Sequence, residues 1–123
     1  MRVRMFKNQF YLKILGGDKR QTIRPAPKRM PKVGDKESWR QWSGLPYRSP
    51  QIELAQVELT SVQIIKMKDL GREDIVVIDG RLLPIEECHA LAVADGFKDF
   101  IEMATWFFGH YGSKFEGILI RAK

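Results

Sequence analysis

The chain has 123 residues, 44% hydrophobic and 29% charged, with 21 Lys+Arg against 15 Asp+Glu and a formal net charge of +6. That length suits one domain over residues 1–123 better than two, and the apolar share supports a core without metals or disulfides. The lone Cys88 excludes an internal disulfide partner, no apolar run reaches membrane-spanning length, and MRVRMFKNQF lacks the apolar stretch of a signal peptide, so a cytoplasmic protein with no membrane partner is expected.

Phe10, Ile14 and Leu15, with Tyr11 nearby, form one apolar stripe that predicts a first helix closing at Gly16-Gly17. Gln21-Thr22-Ile23-Arg24 then alternates like a short strand, and Pro25 stops it. Pro25 to Lys36 reads as the one long loop. Lys36 to Trp42 reads as a strand ended by Ser43-Gly44-Leu45-Pro46. Ile52 to Met67, rich in Val, Ile, Leu and Thr, predicts a long central strand bent near Ser61. Asp79-Gly80 between Asp74–Ile78 and Arg81–Leu83 is a hairpin signal.

Pro84 opens a helix expected to reach about Ala94, with Glu86 and Glu87 in its first turn and Gly96 at its end. Asp99 with Glu102 predicts a capping box for a last helix that shares Phe100, Met103, Ala104 and Phe107 on one face. Phe115 to Arg121 returns as a final strand. The order is α+β, and several strands around a small core predict a curved or barrel-like sheet.

Charge is uneven along the chain: residues 1–50 carry a net +10 and residues 51–123 a net −4. In one fold, Arg20, Arg24, Lys28, Arg29, Lys32, Lys36, Arg40 and Arg48 are expected to gather on one face or cleft and attract a polyanion or phosphorylated ligand. Within that half, GGDKRQTIR places Lys19, Thr22, Arg20 and Arg24 beside the Gly16-Gly17 turn, whose backbone N–H groups are expected to face an anion or oxyanion. A threonine hydroxyl attacks only when a neighbour takes its proton or cations stabilise its alkoxide. Lys19, crowded by cations and desolvated, is expected to lose proton affinity and serve that purpose. Trp39, Trp42 and Tyr47 interleave with Lys36, Arg40 and Arg48, a pattern suited to stacking on unpaired bases. Cys88-His89 and His110 are too few and too poorly spaced for a zinc site, so neither metal nor cofactor is expected. Trp106, on a helix with Phe107 and Phe108, reads as core.

The segments GGDKRQTIRPAP, PKVGDKESW, DGFKDFIEMATWFFGHYG and FEGILIRAK, in that order, resemble the ASCH domain family. The resemblance runs from Phe10 to the C-terminus. It implies a small PUA-like β-barrel with flanking helices and a cleft for RNA or a modified nucleoside. The family's enzymatic members are amidohydrolases acting on acetylated cytidine, using a lysine, a threonine three residues later and a downstream acidic residue. Carried onto this chain, these are Lys19 as activator, Thr22 as nucleophile and Asp95 as acid or base, with Gly17, Arg20, Arg24, Arg40, Trp42 and Tyr47 as the expected ligand-binding set. The enzymatic members carry glutamate where this chain has Asp95, one methylene shorter. Two other readings stand beside this one: a non-catalytic RNA-binding module and a metal-assisted single-strand ribonuclease.

Overall fold

The computed structural model describes all residues, Met1–Lys123. Seven strands form one sheet, β1 (Arg2–Met5), β2 (Gln21–Pro25), β3 (Lys36–Trp42), β4 (Gln51–Asp69), β5 (Asp74–Ile78), β6 (Arg81–Leu82) and β7 (Lys114–Ala122), accompanied by helices α1 (Tyr11–Leu15), α2 (Ile85–Ala94) and α3 (Phe100–Tyr111). The fold is therefore α+β, as the order of elements in the sequence implies.

β4 organises the sheet. Its first half pairs antiparallel with β3, its second half with β7 and β5, and a register shift between Leu59 and Ser61 marks where it turns from one partner to the other. That shift is the bend anticipated near Ser61, and it gives the strand the extra twist a bulge provides. β1 adds to β3 in parallel, and β2 adds to the outer edge of β7. The Asp79-Gly80 turn has φ of 49° and 82°, the left-handed pair that a tight two-residue hairpin needs.

The expected closed barrel does not form. The sheet ends at β1 on one path and β2 on another, and no ladder joins them. Both strands are short, with four and five residues, and Pro25 has no N–H to donate. What spans the gap is a side chain: a terminal guanidinium nitrogen of Arg24 donates to the Met5 carbonyl at 2.7 Å.

α2 and α3 cover one face of the sheet. Their buried residues Cys88, Leu91, Ala92, Phe100, Met103, Ala104 and Phe107 pack with Ile65, Met67, Val76, Phe115 and Leu119 of the strands in one cluster. Cys88 is thus a core thiol, as its place on an apolar helix face implies. A second cluster joins Phe6, Ile14, Trp39, Leu54 and Val57 around α1 and β3. Beside it the buried Arg4 guanidinium forks onto Glu37, both bonds at 2.7 Å, and Trp39 donates to the same carboxylate at 3.1 Å. No helix is long and apolar enough to cross a membrane.

Candidate functional site

The gap between β1 and β2 is a cavity of about 120 Å³, walled by residues from β1 and its continuation (Met5, Phe6), from β2 (Thr22, Arg24) and from the helical layer (Phe97, Trp106). Lys19, Thr22 and Asp95 all line it, though they come from the turn after α1, from β2 and from the end of α2.

Each is delivered by a local rule. α1 ends with Gly16 N–H donating to Leu12 and Gly17 N–H to Ile14, and Gly17 turns the chain at φ 88° so that Lys19 points inward. Asp95 caps α2. Beyond it Gly96, at φ 99°, closes a Schellman motif: its N–H meets the Val93 carbonyl and that of Phe97 meets Ala92, both at 3.0 Å. A side chain at Gly96 would lie within 2.8 Å of the Phe10 ring, so this position also sets how closely Phe10 approaches the cavity.

Lys19 is 1% exposed and Asp95 5%. The Lys19 ammonium donates to the Asp95 carbonyl at 2.5 Å, lies 3.4 Å from its Oδ1, and sits 4.7 Å from the Phe10 ring centre. Burial lowers the Lys19 pKa, Asp95 opposes this, and Arg24 and Lys13 add to the lowering. Burial raises that of Asp95, against the pull of Lys19 and the Gln21 amide. Both directions favour the neutral forms, as a desolvated pair requires. Crowding by Arg20 plays no part, because that guanidinium turns back to the Ile14 and Lys19 carbonyls at 2.7 and 3.1 Å.

Thr22 is buried, and its Oγ1 accepts from Arg24 Nε at 3.0 Å. Arg24 also lies 4.8 Å over the Phe6 ring, and burial lowers its pKa, helped by Arg4. No hydrogen bond joins Lys19 to Thr22. The Gly16-Gly17 N–H groups do not face an oxyanion: both are bound to α1 carbonyls. The cation beside the Thr22 oxygen is Arg24.

The remaining expected binding residues lie outside the cavity. Gly17 is exposed, and Arg20 closes the end of α1. Arg40 reaches Ser38 at 2.8 Å and Gln51 at 3.0 Å. Trp42 and Tyr47 pack together 5.1 Å apart at the β3–β4 connection, with Tyr47 89% exposed, and residues 43–50 contribute nothing to the cavity wall. Trp39 is fully buried core. The basic residues do not converge on one cleft: Arg4 is paired with Glu37, Arg24 faces the cavity, and Lys28, Arg29, Lys32, Lys36 and Arg48 are exposed.

Trp106, read from sequence as core, is a half-buried wall of the cavity, with Lys7 Nζ 5.0 Å over its ring and His110 stacked on it at 4.1 Å. Gln21 also escaped the sequence reading. It is 3% exposed and donates to both Leu91 O and Asp95 Oδ1. A polar residue on an alternating strand gives no sign of such a role.

A wider cleft of about 420 Å³, lined by Arg81, Arg121 and Gln63, lies on the other side of Gln21. It is larger, yet neither Lys19, Thr22 nor Asp95 reaches it, so the smaller cavity is the candidate site. No group of three or more His, Cys, Asp or Glu side chains is placed to hold a metal ion. Comparison with known proteins returns no match: no family model fits the sequence, no curated protein matches it, and no solved structure matches its fold.

Proposed function

We propose that this chain is a cytoplasmic ASCH-type domain with a PUA-like sheet, whose cavity takes the acylated base of a modified cytidine and hydrolyses its amide. The observation that carries the reading is the meeting of Thr22, Lys19 and Asp95 in one small aromatic cavity. A nuclease needs a group placed at a phosphate, and a strand-binding module needs an open groove. A ring-sized cavity lined by Phe6, Phe10, Phe97 and Trp106 suits one flat base.

In the proposed reaction the Thr22 Oγ bonds to the acyl carbon while its proton passes to the free-base form of Lys19. Collapse breaks the bond between the acyl carbon and the exocyclic nitrogen of cytosine, which takes that proton and leaves as the amine. Water then attacks the threonine ester by the same route and releases acetate. Arg24, already on the Thr22 oxygen, opposes the negative charge that develops there. Asp95 holds the Lys19 ammonium between turns. The Lys19–Thr22 contact forms on substrate binding, as hydrogen bonds between catalytic groups commonly tighten only in the complex.

The test is acetate release from acetylated cytidine by the purified protein with no metal added, with Thr22→Ala abolishing it. No turnover above background, or full activity in Thr22→Ala, overturns the reading.

One observation favours a second reading, an RNA-binding module: the exposed Tyr47 packs on the half-buried Trp42, with Arg40 and Arg48 close by in the sequence, and offers a stacking surface. Single-strand binding there loses affinity with salt, by about 0.7 in logarithmic slope per phosphate contact.

A further inference from the structure

Gln21, the first residue of β2, reaches across to the last turn of α2. Its Nε2 donates to the Leu91 carbonyl at 3.1 Å and to Asp95 Oδ1 at 3.2 Å, so both amide hydrogens are engaged. Leu91 and Asp95 are one helical turn apart, joined by the Asp95 N–H to Leu91 O bond of 3.0 Å. The amide therefore ties the carboxylate to the helix that carries it. Oδ1 has Gln21 on one side and the Lys19 ammonium at 3.4 Å on the other, whereas Oδ2 receives no hydrogen bond from the protein.

We propose that Gln21 is a positioning residue, which pins Asp95 through Oδ1 and so leaves Oδ2 as the oxygen that meets a ligand in the cavity. This rests on the cavity being the amidase site proposed above, where Asp95 holds Lys19 through its carbonyl and Oδ1. A carboxylate held at one oxygen by a neutral donor keeps its orientation whether or not Lys19 carries a proton, which a lysine alone cannot ensure. Gln21 also lowers the Asp95 pKa against the burial that raises it. Lys19 and Arg24 are the other charged groups that bear on this carboxylate, and Lys13 on the neighbouring Gly96 carbonyl at 2.9 Å, Lys7 over Trp106 and Tyr111 of α3 stand around the cavity. None of them replaces the amide on Oδ1.

Gln21→Met keeps the length and removes both donors. The direct test follows the Asp95 side-chain carboxyl by carbon NMR across a pH titration in the wild type and this variant. Loss of a hydrogen bond to an ionised group should raise the Asp95 midpoint by about one unit or more. In the amidase assay the same variant should lose about tenfold in kcat with little change in KM, and the acidic limb of its pH profile should move up with the carboxyl midpoint. Gln21→Glu preserves the shape and sets a second carboxylate against Oδ1, so it should raise the midpoint further still, and it serves if the methionine variant fails to fold. An unchanged Asp95 midpoint in a folded variant overturns the proposal, and so does a fall in stability with an unmoved pH profile. Absence of turnover in the wild type counts against amide hydrolysis alone, since the carboxyl titration decides the role of Gln21 by itself.

Discussion

Replacing Gly96 by alanine tests the local geometry that joins α2 to the cavity. The residue sits at φ 99°, where a Cβ strains the backbone, and the added carbon would lie 2.7 and 2.8 Å from two atoms of the Phe10 ring and 3.4 Å from Lys19 Cδ. A left-handed residue with a side chain loses about 1–2 kcal/mol. Displacing a packed ring loses about 1–3 kcal/mol more, so the total is about 2–5 kcal/mol. Gly71 provides the control, because it has φ 88° and a Cβ added there would meet nothing within 4 Å, leaving the backbone contribution alone. Urea unfolding of Gly96→Ala and Gly71→Ala separates the two contributions, and titration with acetylated cytidine should show weakened binding in the first variant only. Equal losses of stability in the two variants, with ligand binding intact, would refute the placement of Phe10 against the end of α2.

Three further outcomes are expected. Arg4→Ala strands the buried Glu37 carboxylate with Trp39 as its remaining donor and should destabilise the protein by about 3–5 kcal/mol at neutral pH. Although burial alone would raise it, Arg4 and Trp39 hold the Glu37 pKa below its ordinary 4.5, so the ion pair contributes fully above that value and is lost as pH falls through the folded-state value; unfolding at several pH values should show the variant's deficit shrinking in acid. Because burial lowers the Lys19 pKa, its free base appears at lower pH than for an exposed lysine, and the rising limb of kcat/KM against pH should fall below 10.5; a limb at that value contradicts Lys19 as the base. Tyr47→Ala should weaken single-stranded RNA binding by about 1–3 kcal/mol while leaving thermal stability unchanged, and unaltered binding in a filter or fluorescence assay removes the stacking platform.

Much of the fold is legible because short-range chemistry decides it. Asp79-Gly80 permits only a tight hairpin, Asp99 accepts from the Glu102 N–H at 2.8 Å, and Phe100, Met103, Ala104 and Phe107 are all buried on one helical face. The first helix is legible in place but not in burial: of its apolar stripe only Ile14 is fully buried, while Leu15 is 53% exposed. Sheet closure was not legible, since it depends on whether two short, distant strands exchange hydrogen bonds, and here Arg24 and the cavity occupy that seam.

The candidate site divides in the same way. Gly17 and Gly96 are visible as chain reversals, and Lys19, Thr22 and Asp95 stand beside them or a few residues on. Gln21, Phe97 and Trp106 were not legible as site residues, because a buried amide and a half-buried aromatic are defined by what lies across the fold. The arginines show the limit of charge counting. Arg4, Arg20 and Arg24 each satisfy partners inside the structure, so the basic half of the chain does not translate into one basic surface.

The central claim is that Thr22 attacks an acyl group held in the cavity between β1 and β2. Rapid quenching of the protein with acylated cytidine, followed by peptide mass spectrometry, tests this most directly. The account predicts that the peptide containing Thr22 gains the mass of one acyl group during turnover, and that Thr22→Ala gives neither adduct nor free acid. Turnover that proceeds with no acyl group on Thr22, or an adduct found on another residue, would contradict it.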